Sequence, residues 1–321
     1  MKDTILYGDC RQTLPAFIDN AQMCVTSPPY YGLRDYGGKS EQIGQEQTPE
    51  EYIEEMVNVF RLVRDNLKDD GVLWLNIGDT YYNYRSDGNY PKQTVSKTNQ
   101  DLPSFSPARG NKLEGLKSKD LIGIPWMLAF ALRADGWYLR QDIIWHKPNP
   151  MPESVKDRCT KAHEYIFLLS KSKNYYYDNE SIKEPAKDWG TRDRTNGKYH
   201  NEGTGLTPHS GLTKSYPTKN KRSVWSITNK PYKGSHFATF PPDLIEPCIL
   251  AGSRKGDIVL DPFMGSGTTA MVAKQLGRYY IGCELNEDYR KLIEKRVTVN
   301  KVEQNASHSE TNGLIDLLGT V

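Results

Sequence analysis

The chain has no unbroken apolar run near the ~20 residues that a membrane-spanning helix needs. Its first residues, Met1-Lys2-Asp3-Thr4, lack the pattern of a signal peptide. Cysteine is sparse: five residues (10, 24, 159, 248 and 283) lie scattered over 321 positions, with no Cys-x-x-Cys and no histidine cluster beside them. That distribution predicts reduced thiols, no structural zinc and no metal site. With 37% hydrophobic residues, the expectation is a soluble, cytoplasmic protein. The net charge of +2 is small but uneven. Residues 183–233 hold 11 Lys+Arg against 4 Asp+Glu, a net of +7, so the remainder sums to −5. A basic segment on a slightly acidic body suggests a polyanionic partner; an ordinary solvated loop is the competing reading.

What the chain does have is alternation of short apolar runs with helical patterns, which predicts an α/β fold with a mostly parallel sheet. Seven strands are expected, near residues 3–9, 23–26, 72–77, 137–145, 164–170, 257–260 and 279–283. Thr48-Pro49-Glu50-Glu51 predicts a helix start, with Thr48 as N-cap, Pro49 at the first position and Glu51 completing a capping box. Apolar positions then keep helical spacing from Tyr52 to Leu67, until Gly71. Further helices are expected over 121–134, from Pro242, from the glycines at 265 and 267 to about Leu276, and from Asn286 to about Val299. The strands near 137–145 and 164–170 read as a hairpin. Residues 80–118 lose periodicity and read as an insert. Residues 178–232 form the basic, turn-rich segment, with Trp189, Tyr199, Tyr216, Trp225 and Tyr232 interleaved, a mixture suited to phosphate contact and base stacking. Residues 301–321 form a polar tail.

Two stretches carry chemistry. Met23-Cys24-Val25 runs into Thr26-Ser27-Pro28-Pro29-Tyr30, a buried strand that breaks into two prolines. The stiff turn offers the Ser27 hydroxyl and the Pro28 carbonyl as acceptors for an amino group, and Tyr30 as a stacking surface. Downstream, Asp261-Pro262-Phe263-Met264-Gly265-Ser266-Gly267-Thr268-Thr269 reads as a strand-to-helix turn whose glycines admit a nucleotide-like ligand. Glu284, 19 residues after Gly265, falls at the end of the next strand, where a carboxylate can grip ribose hydroxyls. The glycines alone fit an NAD-linked oxidoreductase equally well.

Together and in this order, the two stretches resemble the permuted β group of amino-methylating DNA methyltransferases, with matching segments between about residues 5 and 299. The resemblance implies a Rossmann-like fold dependent on S-adenosyl-L-methionine, a seven-stranded sheet with one antiparallel strand, and a small target-recognition insert. Residues 1–177 would be the catalytic half, 178–232 the target-recognition region and 233–300 the cofactor-binding half of the same domain. Ser27, Pro28, Pro29 and Tyr30 would be catalytic. Cofactor contacts would come from Asp9, Thr26, His236, Phe237, Thr239, Asp261, Pro262, Phe263, Gly265, Ser266, Gly267, Thr268 and Glu284. Asp9 would accept from the adenine amino group, although a turn-capping aspartate would look the same. Asp261 would hold the methionine amino group. Arg34, Arg192, Arg194, Lys219, Lys221 and Arg222 are candidates for contact with double-stranded DNA. Serine at position 27 favours cytosine N4 over adenine N6 as the methyl acceptor, since family members with Asp there mostly methylate adenine. No nuclease motif is recognised, so any cognate restriction endonuclease would be a separate protein. Monomer and homodimer both stay open, as does a DNA-binding scaffold without catalysis.

Overall fold

The computed structural model describes residues 1–17, 20–32, 42–82, 113–186, 217–229 and 240–298. In chain order the strands are β1 (Thr4–Tyr7), β2 (Ala21–Thr26), β3 (Leu67–Ile77), β4 (Tyr138–His146), β5 (His163–Ser170), β6 (Glu184–Pro185), β7 (Thr218–Lys219), β8 (Val224–Ser226), β9 (Ile258–Asp261) and β10 (Tyr279–Glu284). Among the described residues the α-helices are α1 (Cys10–Thr13), α2 (Pro49–Asp65), α3 (Ile124–Ala134), α4 (Pro242–Gly252), α5 (Thr268–Gln275) and α6 (290–298), the last in the stretch expected to be helical from Asn286.

The principal sheet has eight strands in the order β1-β10-β9-β2-β3-β5-β4-β8. Neighbours pair in parallel except β5, which runs antiparallel to both β3 and β4. Seven strands match the expected set. The eighth, β8, is an addition to it: the basic segment contributes a three-residue strand that pairs in parallel with the end of β4. β6 and β7, also from that segment, form a small antiparallel pair.

Each central strand is covered on both faces, as a mostly parallel sheet requires. Cys24, Leu73, Leu75 and Ile77 point into a core shared with α2 and α3, and Met23, Val25, Val72 and Trp74 into one shared with α4 and α5. Alternation along the strand makes this division.

The α2 capping box forms as expected, with Glu51 N–H donating to Thr48 and the Glu51 side chain accepting from Thr48 N–H. The helix stops at Asp65, earlier than its apolar spacing suggests. Asn66 supplies the reason, because its side-chain amide donates to the carbonyls of Leu62 and Leu14 and turns the chain directly into β3. The 80–118 insert is tied at its base: Tyr82 N–H donates to Asp120 O, and Lys119 N–H to Tyr82 O. Its span 83–112 lies outside the described residues, as does the tail at 301–321.

Candidate active site

The chain leaves β2 toward β3 on one side, while β9 flanks β2 on the other. This is the crevice position at which open α/β sheets take ligands, beyond the carboxyl ends of the strands. Both chemical motifs lie there, although more than 230 positions separate them in sequence.

A buried carboxylate joins them. Asp261 is fully buried, accepts from the Thr26 hydroxyl at 2.6 Å through Oδ1 and from the Thr269 hydroxyl at 2.5 Å through Oδ2, and also accepts from Phe263 N–H at 3.0 Å. Burial raises its pKa to about 6, and the three donated hydrogen bonds moderate that rise. In this structure Asp261, at 0% exposure and with both oxygens engaged by protein groups, is the clamp between β2, β9 and α5. Thr26, expected at the cofactor, is the other half of that clamp.

Beyond Asp261 the chain turns through buried Pro262 and half-buried Phe263 into the glycines. Gly265 has φ 55° and Gly267 φ 81°, left-handed values that favour glycine. A Cβ at Gly265 would meet nothing closer than Phe263 O at 3.9 Å, so this side of the turn is open. Glu284 ends the adjacent strand with Oε2 accepting from Gly265 N–H at 2.7 Å and Oε1 accepting from Asn286 N–H at 2.8 Å. A carboxylate offers about four acceptor positions, so the arrangement suits a ligand presenting hydroxyls over the turn. An open glycine turn beside a terminal carboxylate therefore fits a nucleoside-bearing cofactor. Ser266 is buried and its hydroxyl accepts from Arg296 at 2.5 Å, while Thr268 is buried as the first residue of α5. Both shape the turn from beneath. Sequence reading missed Gly282, where a Cβ would lie 2.4 Å from Met264 Cε and 2.6 Å from Asp261 O. Only a hydrogen at that position lets the turn cross β10.

At the end of β2, Ser27 is partly buried and its Oγ lies 3.4 Å from the Tyr30 hydroxyl. The Pro29 carbonyl accepts from the Tyr52 hydroxyl of α2 at 2.9 Å. The Pro28 carbonyl has no hydrogen bond among the described residues. Tyr30 donates to Glu164 Oε2 at 2.8 Å. Neither Tyr52 nor Glu164 was singled out from sequence, because each acts across the fold and belongs to an otherwise ordinary helix or strand.

Asp9 takes the capping alternative. It accepts from Arg11 N–H at the start of α1 and forms a two-pronged pair with the Arg11 guanidinium. Both of its oxygens thereby face protein donors.

Of the expected DNA contacts, Lys219 and Arg222 flank Glu184, at 3.6 and 2.6 Å, and Lys221 lies over the Trp225 ring. Trp225 itself is buried against Trp74, so it is core rather than a stacking surface. Arg34, Arg192, Arg194, His236, Phe237 and Thr239 lie outside the described residues. Cys10 and Cys24 are buried, and desolvation pushes both thiols up, consistent with fillers.

The DNA methylase family profile matches residues 21–295. The Type II methyltransferase M.SmaI of Serratia marcescens is 50% identical over 294 residues, covering 91% of this chain and 90% of that protein. M.Cfr9I of Citrobacter freundii is 46% identical over 288 residues, covering 89% and 84%. Among solved structures, PvuII DNA methyltransferase (cytosine-N4-specific) superposes with a TM-score of 0.60 at 19% identity, over 92% of this chain and 86% of that one. A putative DNA modification methylase from Thermus thermophilus, complexed with S-adenosyl-L-methionine, superposes at 0.55 with 23% identity over 92% of each. These two likenesses are of fold. The NAD-linked reading of the glycine turn is thereby set aside, and the chain belongs to the N6/N4 DNA methylase family.

Proposed function

We propose that this protein transfers a methyl group from S-adenosyl-L-methionine to the exocyclic N4 of cytosine in duplex DNA. One observation supports the reading: the Thr26–Asp261 hydrogen bond ties the strand that ends at Ser27-Pro28 to the strand that ends at the glycine turn. The cofactor supplies a methyl group made electrophilic by its sulfonium. Gly265 and Gly267 would admit its nucleoside, Glu284 would accept from its ribose hydroxyls, and Phe263 would pack beside it.

An exocyclic amino group is a poor nucleophile because its lone pair is delocalised into the ring. Ser27 Oγ and the uncommitted Pro28 carbonyl would accept its two protons, drawing them out of plane and localising the lone pair toward the methyl group. The two prolines and the Tyr52 bond to Pro29 hold those acceptors in place, so positioning and electrostatics supply the acceleration. The target base must leave the stack to arrive there, at a cost of a few kcal/mol, and Tyr30 would offer a replacement stacking surface. The basic segment at 178–232 would hold the DNA backbone. Serine at position 27, where adenine-specific relatives mostly carry aspartate, favours cytosine. A cognate restriction endonuclease, if present, would be a separate chain.

The test is methyl transfer from labelled S-adenosyl-L-methionine to unmethylated duplex DNA, followed by nucleoside mass spectrometry. Labelled N4-methylcytosine is expected. Ser27→Ala should lower kcat by roughly 10²-fold, in the range for losing one preorganised hydrogen-bonding group, with cofactor affinity retained. Labelled N6-methyladenine would replace the base assignment, and unlabelled DNA despite cofactor binding would leave a non-catalytic scaffold.

A further inference from the structure

Around Tyr30 lies a set of polar residues that the transfer chemistry above does not use. The Tyr30 hydroxyl donates to Glu164 Oε2 at 2.8 Å. Glu164 Oε1 pairs with Lys147 Nζ, and each of those two side chains is only 16% exposed. Asn76, at the end of β3, donates through Nδ2 to the Tyr165 carbonyl at 3.1 Å and places Oδ1 3.4 Å from the Tyr30 hydroxyl. Beneath the ring, a Cβ on Gly78 would lie 2.6 Å from Tyr30 Cε2 and 3.4 Å from Glu164 Cδ. The phenol is therefore held at its oxygen and pressed at its edge.

We propose that Glu164, oriented by Lys147, is a positioning residue that fixes the Tyr30 ring at the angle required to stack on the target base. The inference rests on the DNA-methyltransferase reading. A tyrosine leaving a Pro-Pro turn retains rotation about two side-chain bonds, and a stacking surface that rotates does not hold a base in line for transfer. A carboxylate hydrogen bond, stronger than a neutral one, anchors the phenol oxygen and so limits rotation about the first bond, while the close approach of Gly78 limits rotation of the ring about the second. An unpaired carboxylate at this depth would be costly, and Lys147 removes that cost. The arrangement is built from two neighbouring strands. Glu164 belongs to β5, Lys147 directly follows β4, and Lys147 N–H donates to the Ala162 carbonyl. The opposing view is that Lys147–Glu164 merely staples the β4–β5 hairpin.

Steady-state methyl transfer to unmethylated plasmid DNA separates the two views, using wild type, Glu164→Ala, Glu164→Gln, Tyr30→Phe and the Tyr30→Phe/Glu164→Ala double variant. Positioning predicts that Glu164→Ala lowers kcat at least tenfold, with KM for DNA and calorimetric Kd for S-adenosyl-L-methionine within twofold of wild type. Glu164→Gln, which retains a hydrogen-bonding group at that oxygen, should recover most of the loss. In the Tyr30→Phe background, Glu164→Ala should cost less than twofold more. Equal costs in both backgrounds, or losses that follow a lowered Tm and weakened cofactor binding, would overturn the proposal in favour of the staple. If Glu164→Ala fails to fold, the paired replacement Lys147→Met/Glu164→Leu, which leaves no charge unpaired, is measured with and without Tyr30→Phe and gives the same cycle. Absence of transfer by wild type would instead overturn the underlying reading.

Discussion

At the scale of single residues, Asp261 shows how one buried group serves the whole crevice. It stands at the end of β9, and its two hydroxyl partners come from β2 and α5. Its pKa, raised to about 6 by burial, exceeds the ~3.9 of an exposed aspartate. Between those values the folded protein binds the extra proton, so stability falls as pH rises through the interval. Two pKa units correspond to about 3 kcal/mol, lost by pH 7 and recovered on acidification toward pH 4. Asp261→Asn should abolish this component. Urea unfolding of both proteins at pH 4.5 and 7.5 checks it: the wild-type free energy should drop relative to the variant at the higher pH. A constant difference between the two would show that Asp261 does not titrate there. Tyr30 and Asp9 make the related point that a side chain's role depends on what the fold puts opposite it.

Among the elements, the start of α3 depends on a residue far outside it. Its N-cap position is Gly123, which offers no side chain, and Asp79, two residues beyond β3, accepts from the N–H groups of Gly123 and Ile124 instead. The same carboxylate accepts from Thr80 N–H, and the Asp79 carbonyl accepts from Lys161. Asp79→Ala removes a cap for which the helix has no substitute. Such losses typically cost about 1 kcal/mol and reach ~2 kcal/mol, so a lower Tm with unchanged methyl donor affinity is the expected outcome. An unchanged melting temperature would mean that solvent replaces the cap. Pro125, awkward for a helix by sequence alone, stands in its first turn, where a missing N–H is harmless. The capping box of α2 needed no tertiary help, because Thr48 and Glu51 are three residues apart and complete each other.

For the molecule as a whole, the separation of charge sets how a polyanion would be held. A segment of net +7 on a body of −5 should bind DNA mainly through phosphates. Binding should weaken steeply with salt. Replacing Lys219 and Lys221 together by alanine should reduce the slope of log K against log salt by up to about 2, at roughly 0.9 per phosphate contact. Fluorescence anisotropy of a labelled duplex at salt concentrations from about 50 to about 200 mM measures this. An unchanged slope would place the phosphate contacts elsewhere on the chain.

The seven principal strands, the α2 cap and the glycine turn were legible because each is written in neighbouring residues, as period, capping pair or left-handed glycine. The break of β2 before Ser27-Pro28-Pro29 was legible for the same reason, since two prolines stiffen a chain regardless of its surroundings. The eighth strand, the clamp at Asp261, the tether of Tyr30 to Glu164 and the need for glycine at 282 were not. Each depends on which strand lies beside which, and sheet order follows from packing both faces of β2, β3 and β9 rather than from local sequence. Local chemistry determined the two turns; only the tertiary structure decided which groups oppose them, because hydrogen bonds at this site join residues as far as 235 positions apart.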